Sequence, residues 1–226
     1  MTRGSRPPLN ALLEALMPVV RPTMLKHFTP DCCIATCRVL RKAFNVFGYD
    51  AEAVPVSVFI FNENMAGLLK DGVSIPTDRS ARKELLDGTG AWSVGITRQS
   101  AEVGAPVVGG RFGGHLVLRV MNTLVDASLQ QADRPERGIV LPPLLSFVPQ
   151  KPIFFTQKKT RGKRCGVSVN GCEIVYERLK DYSFRKAPDW LRGGSPYTDV
   201  TSSIVSQTVN RLNYHTGGES LCLERS

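Results

Sequence analysis

Several familiar functional parts are missing from this sequence. It has no Gly-x-Ser-x-Gly elbow, which removes the usual serine nucleophile of the α/β hydrolases. It has no Walker loop and no Gly-x-Gly-x-x-Gly fingerprint, so no motif supports nucleotide use. Its six cysteines (Cys32, Cys33, Cys37, Cys165, Cys172 and Cys222) are too sparse for a disulfide scaffold. None stands in a Cys-x-x-Cys pair, which argues against structural zinc. Histidine is scarce, three in all, and His27 and His215 lie in polar segments expected at the surface. No metal and no organic cofactor is therefore expected. No apolar run approaches the roughly 18 residues of a membrane span. The N-terminus lacks the uninterrupted apolar stretch of a signal peptide. These absences describe a soluble cytoplasmic protein with free thiols and no membrane partner.

Acidic residues are also short, 20 against 29 Lys and Arg, for a net charge of +9. That balance favours acidic partners or nucleic acid but says nothing about fold. The densest basic run, residues 158–164, reads as a solvated loop. Aromatic residues do not interleave with it as stacking platforms would, so nucleic acid is not the favoured partner. The length of 226 residues suits one sizeable core, so a single α+β domain over 1–226 is expected, with its core at about 30–190.

Leu9, Leu12, Leu13 and Leu16 recur at helical spacing, and Pro18 and Pro22 are expected to break that pattern. Asp31 is a suitable N-cap for a second helix from Cys32 to Phe47. Its polar stripe is Arg38, Arg41, Lys42 and Asn45, with Gly48 as the stop. Val54, Val56, Val58 and Ile60 alternate as in a strand. Residues 62–107 hold two short helical patterns and a short strand, and are expected to include an insertion or lid. A strand, a tight turn at Asn122 and a second strand follow. Asn170–Gly171 marks a further hairpin. Val200, Ile204, Val205 and Leu212 indicate a last helix capped by Thr198 or Asp199, and 214–226 reads as a loose tail.

Chemistry concentrates in "DCCIATCRVL", residues 31–40. A thiol in the first turn of a helix feels the positive end of the helix dipole and unpaired N–H groups, both of which favour a thiolate. Small apolar packing is the alternative role for any one of these cysteines. His115 and Asp126 project from the same face if a two-residue turn joins their strands. In one of the two allowed registers their backbones lie about 7–8 Å apart, close enough for a carboxylate to orient an imidazole. Gly109, Gly110, Gly113 and Gly114 precede the histidine and permit close approach of backbone or substrate.

Three blocks, "CIATCRVLRKAFNVFGYDAEAVPVSV", "GHLVLRV" and "LVDASLQQADRP", resemble the Cys–His–Asp core of transglutaminase-like proteins. These belong to the papain-like superfamily, with arylamine N-acetyltransferases as relatives. The resemblance spans about residues 30–140. It implies a papain-like fold, with a cysteine-bearing helix packed on an antiparallel sheet, and thiol-based acyl chemistry. It carries Cys33, His115 and Asp126 over as a triad. Two adjacent cysteines depart from the pattern, so Cys32 remains an alternative nucleophile. Cys33 is preferred because "CIAT" continues in the family-like register. The Cys33 backbone N–H is the natural oxyanion donor, with the Trp92 indole as a second candidate, and Gly113 and Gly114 are candidate substrate contacts. The expected reaction is hydrolysis of a peptide, isopeptide or amide bond through a thioester. Acyl transfer to an amine is the alternative, and a non-catalytic basic module binding nucleic acid or an acidic protein is the second. The expected partner is a peptide, protein or acyl substrate, of acidic character if the basic surface contributes.

Overall fold

The computed structural model describes residues 6–97, 112–150, 152–155, 163–191 and 194–219. It is an α+β structure built on one seven-stranded antiparallel sheet. The first helix, α1 (Leu9–Leu25), runs straight through Pro18 and Pro22, contrary to the break expected there. The reason lies in where the prolines fall. Each removes the N–H that would bond the carbonyl four residues back. The carbonyls left free are those of Glu14 and Pro18, and Glu14, Pro18 and Pro22 form an exposed stripe. That side faces solvent while Leu12, Leu16, Val20 and Met24 are fully buried on the other.

Helix α2 (Cys33–Val46) begins one residue later than expected, with Cys32 rather than Asp31 at the N-cap. It ends where Gly48 takes φ +81°, the left-handed geometry that lets a chain leave a helix. Strand β1 (Ala51–Phe61) is the centre of the sheet. Its alternation works as anticipated: Val54, Val56, Val58 and Ile60 enter one apolar core, while Ala51 and Ala53 enter the other. The first core is closed by Leu129, Ile139, Leu141 and Phe154. The second is filled by α1, α2 and the last helix, through residues such as Leu16, Phe44 and Ile204.

Residues 62–97 hold α3 (Glu63–Lys70), α4 (Arg79–Thr89) and β2 (Ser93–Ile96). The remaining part of the expected insertion, from 98, lies outside the described residues. Strands β3 (His115–Val120) and β4 (Thr123–Asp126) form a hairpin across the two-residue turn Met121–Asn122. Strand β5 (Leu145–Phe147) lies beyond β4 at the sheet edge. Strands β6 (Arg164–Val169) and β7 (Cys172–Arg178) pair across Asn170–Gly171, both at positive φ. A short helix α5 (Pro188–Leu191) precedes α6 (Tyr197–Glu219). Thr198 and Asp199 therefore fall inside the last helix, and part of the expected tail, from 214 to 219, is helical. Residues 220–226, with Cys222, and most of the 158–164 run lie outside the described residues.

Strand order explains how a site arises on this sheet. β3 pairs with β1 only as far as Val56↔His115. From Val58↔Ile96 onward, β2 occupies the same edge of β1. His115 therefore stands at a seam where one strand enters the sheet and another takes over.

Candidate active site

His115 and Asp126 meet because the β3–β4 turn has two residues. The register Leu118↔Val125 continues to place Val117 opposite Asp126, the nearer of the two arrangements considered from the sequence. His115 Nε2–H donates to Asp126 Oδ2 at 2.8 Å, and both side chains are wholly buried. The carboxylate is held on three sides. Ser128 N–H donates to Oδ1 at 3.1 Å and the Tyr176 hydroxyl to Oδ2 at 3.1 Å. Burial pushes the Tyr176 hydroxyl well up, so the phenol stays a donor.

With Nε2 committed to Asp126, the nitrogen left for a thiol is Nδ1. The Cys33 thiol lies near enough to the imidazole to favour its charged form, so the first turn of α2 reaches the start of β3. One turn along α2, Cys37 Sγ–H donates to the Leu116 carbonyl at 3.1 Å. Burial raises the Cys37 thiol well above its ordinary value, which keeps its proton on sulfur. Cys37 therefore docks the helix onto the strand at the residue after His115. Only i, i+4 spacing on α2 pointed to this pairing of roles. Cys32 faces elsewhere, with its sulfur 3.4 Å from the Thr36 hydroxyl. Burial raises its pKa against the opposing effects of Thr36 and Arg21. Of the two adjacent cysteines, Cys33 is the one placed on the histidine.

A further residue, unforeseen in the sequence, completes the cluster. The Gln131 side-chain amide lies 2.9 Å from His115 Nδ1. An amide can turn N–H toward a neutral ring or its carbonyl oxygen toward an imidazolium. Burial alone would favour the neutral ring, but the Asp126 charge and hydrogen bond outweigh it. Smaller contributions from Cys33 act in the same direction. The His115 pKa is raised from 6.5 to about 10, so the imidazolium prevails at neutral pH.

Not every expected residue converges here. Trp92 stands beyond the far end of β1, where its carbonyl accepts from Asn62 N–H and the Arg137 guanidinium lies 4.2 Å from its ring. Six residues separate Val56 from Asn62, about 20 Å of strand, so the structure does not bring Trp92 to His115. Gly114 takes φ +139°, and a Cβ there would meet Leu179 Cδ1 at 2.9 Å and the Val56 carbonyl at 3.1 Å. That close packing accounts for Gly114 without a substrate. Gly113 is half-buried beside it, and Gly109 and Gly110 lie outside the described residues.

Cys32, Cys33, Cys37, Cys165 and Cys172 are all free thiols. Among the described residues, no group of three His, Cys, Asp or Glu side chains forms a metal site. No helix among them is long and apolar enough to cross a membrane. No protein-family model matches the chain, and comparisons with curated proteins and with solved structures find no match.

Proposed function

We propose that the protein is a cysteine-dependent acyl enzyme of papain-like, transglutaminase-like architecture that hydrolyses a peptide, isopeptide or amide bond. The observation that supports this reading is the buried His115–Asp126 pair with the Cys33 thiol beside its imidazole. In the proposed reaction His115 starts as the imidazolium, holding on Nδ1 the proton that the Cys33 thiol gives up, and the sulfur attacks the carbonyl carbon. The carbonyl oxygen takes the negative charge, facing the Cys33 N–H. That N–H belongs to the first turn of α2, where helix donors have no intrahelical acceptor. His115 then passes the proton to the departing amine, and a thioester remains on Cys33. Water, deprotonated by His115, releases the acid and leaves the sulfur and the imidazolium as they began. Asp126 holds the ring with its Nε2–H fixed, so that Nδ1 alone exchanges protons with the reacting atoms.

The test is intact-mass detection of an adduct with thiol-directed probes bearing different acyl groups, followed by peptide mapping. The expected result is one adduct on Cys33, absent in Cys33→Ala and slowed in His115→Ala. Turnover of the acyl adduct in water alone supports the hydrolase. Turnover that requires an added amine identifies acyl transfer instead. Equal labelling of every cysteine, unchanged by His115→Ala, defeats the proposal.

A further inference from the structure

The polar stripe of α2 takes no part in the chemistry above. Arg38 lies three and four residues before Arg41 and Lys42, and these lie four and three before Asn45, so the four share a helix face. Opposite that face lies Trp190 in α5. Its ring packs edge-on against Phe184, with centroids 4.9 Å apart and planes at 87°. Two depressions meet at Trp190 and Arg41. The smaller, ≈ 280 Å³, is lined by Arg38, Arg41, Lys42, Asn45 and Trp190, with no carboxylate among them. The larger, ≈ 630 Å³, adds Arg185 and Arg119 together with Asp50 and Glu52.

The cations here are held but not neutralised. Arg38 donates to the Asp189 carbonyl at 3.0 Å and sits 4.5 Å from the Tyr197 ring centroid. Arg41 sits 5.9 Å from the Trp190 centroid, and Arg185 4.9 Å from that of Tyr182. Among the described residues none of Arg38, Arg41, Lys42 and Arg185 is in a salt bridge, whereas Arg119 is paired with Glu52 at 3.7 Å. Like charges at i, i+3 and i, i+4 disfavour a helix by a few tenths of a kcal/mol each, a cost that a bound anion would relieve.

We infer that this double cleft binds a nucleotide. Phosphate groups fit the smaller depression, which Arg38, Arg41 and Lys42 line and where the Asn45 amide adds a donor. A planar base fits against the Trp190 indole. On the other side, Asp50 supplies a carboxylate that accepts from sugar hydroxyls or an exocyclic amine. The combined volume is that of a small-molecule site. A single partly exposed ring with clustered cations suits one base and its phosphates. A single strand of nucleic acid needs a track of several rings instead. Arg41 is eight residues beyond Cys33, about 12 Å along the helix, so nucleotide binding there does not depend on the thiol chemistry.

The full chain is titrated with ATP, adenosine, inorganic tripolyphosphate and a single-stranded DNA oligonucleotide, by calorimetry and by tryptophan fluorescence. ATP is expected to bind saturably below about 1 mM. Adenosine and tripolyphosphate should each bind at least tenfold more weakly. Arg41→Ala and Lys42→Ala should weaken ATP at least tenfold with unchanged circular dichroism. Trp190→Phe should remove most of the ATP-induced fluorescence change, leaving Trp92 as a silent reference. Absence of saturable ATP binding overturns the inference. So does tripolyphosphate binding as tightly as ATP, or ATP affinity that ignores both cation variants. Oligonucleotide binding more than tenfold tighter than ATP, with steep salt dependence, replaces the nucleotide site by a nucleic-acid surface.

Discussion

Replacing Asp126 by Asn removes a charge from beside His115 and leaves the side chain's shape in place. In the intact site the His115 pKa is raised from 6.5 to about 10. At roughly 1.4 kcal/mol per pKa unit, that interval corresponds to an interaction on the order of 5 kcal/mol favouring the imidazolium. Burial opposes that form, and the Asp126 charge and hydrogen bond do most to favour it. Without the carboxylate the ring should titrate near or below 6.5. At pH 8 the intact protein then carries about 99% imidazolium and the variant about 3% or less. If the imidazolium supplies the leaving-group proton, turnover at pH 8 falls at least about thirtyfold, and part of it returns on acidification. The assay is heteronuclear NMR of the imidazole carbons across pH 5–11, simple to assign in a chain with three histidines. Stability gives an independent readout. A histidine with a raised folded pKa stabilises the fold fully below 6.5 and loses that contribution as pH rises toward about 10. The melting temperature of the intact protein should fall across this window, and the fall should be smaller in Asp126→Asn. Titration of His115 near 6.5 in the intact protein, or at the same pH in both proteins, refutes the reasoning.

Cys33→Ala should abolish turnover while Cys32→Ala retains most of it, measured on whichever acyl probe labels the intact protein. The reverse pattern would move the nucleophile by one residue. Tyr176→Phe removes the phenol that donates to Asp126 Oδ2 at 3.1 Å. A hydrogen bond to a buried charge contributes about 1.5–3 kcal/mol, so denaturant unfolding should show a loss of that size. Gly114→Ala combines φ +139° with a Cβ 2.9 Å from Leu179. It should destabilise the fold by roughly 1–3 kcal/mol, read as a lower melting temperature. Cys37→Ala removes only the sulfur and with it the bond to the Leu116 carbonyl. It should fold and show slower labelling of Cys33, because the helix is no longer pinned beside His115.

Much of this molecule follows from local rules that act within a few residues. The alternation of Val54 through Ile60 sets the faces of β1, because strand side chains alternate. Asn170–Gly171 specifies its hairpin because both residues tolerate positive φ. The two-residue turn at Met121–Asn122 fixes the β3–β4 register, so the meeting of His115 with Asp126 was one of the arrangements legible from the chain. Where local signals failed, burial had intervened. Pro18 and Pro22 are tolerated in α1 because the carbonyls they strand lie on its exposed side. The choice between Cys32 and Cys33 depends on which way α2 is turned against β3, a rotation set by Cys37 and the apolar face packed on the sheet. Gln131 arrives at Nδ1, and Tyr176 at Asp126, from segments that sequence spacing does not relate to the histidine. Partners on one hairpin are dictated by chain geometry. Partners from separate elements are dictated by how buried surfaces fit, and that fit exists only once the core has formed.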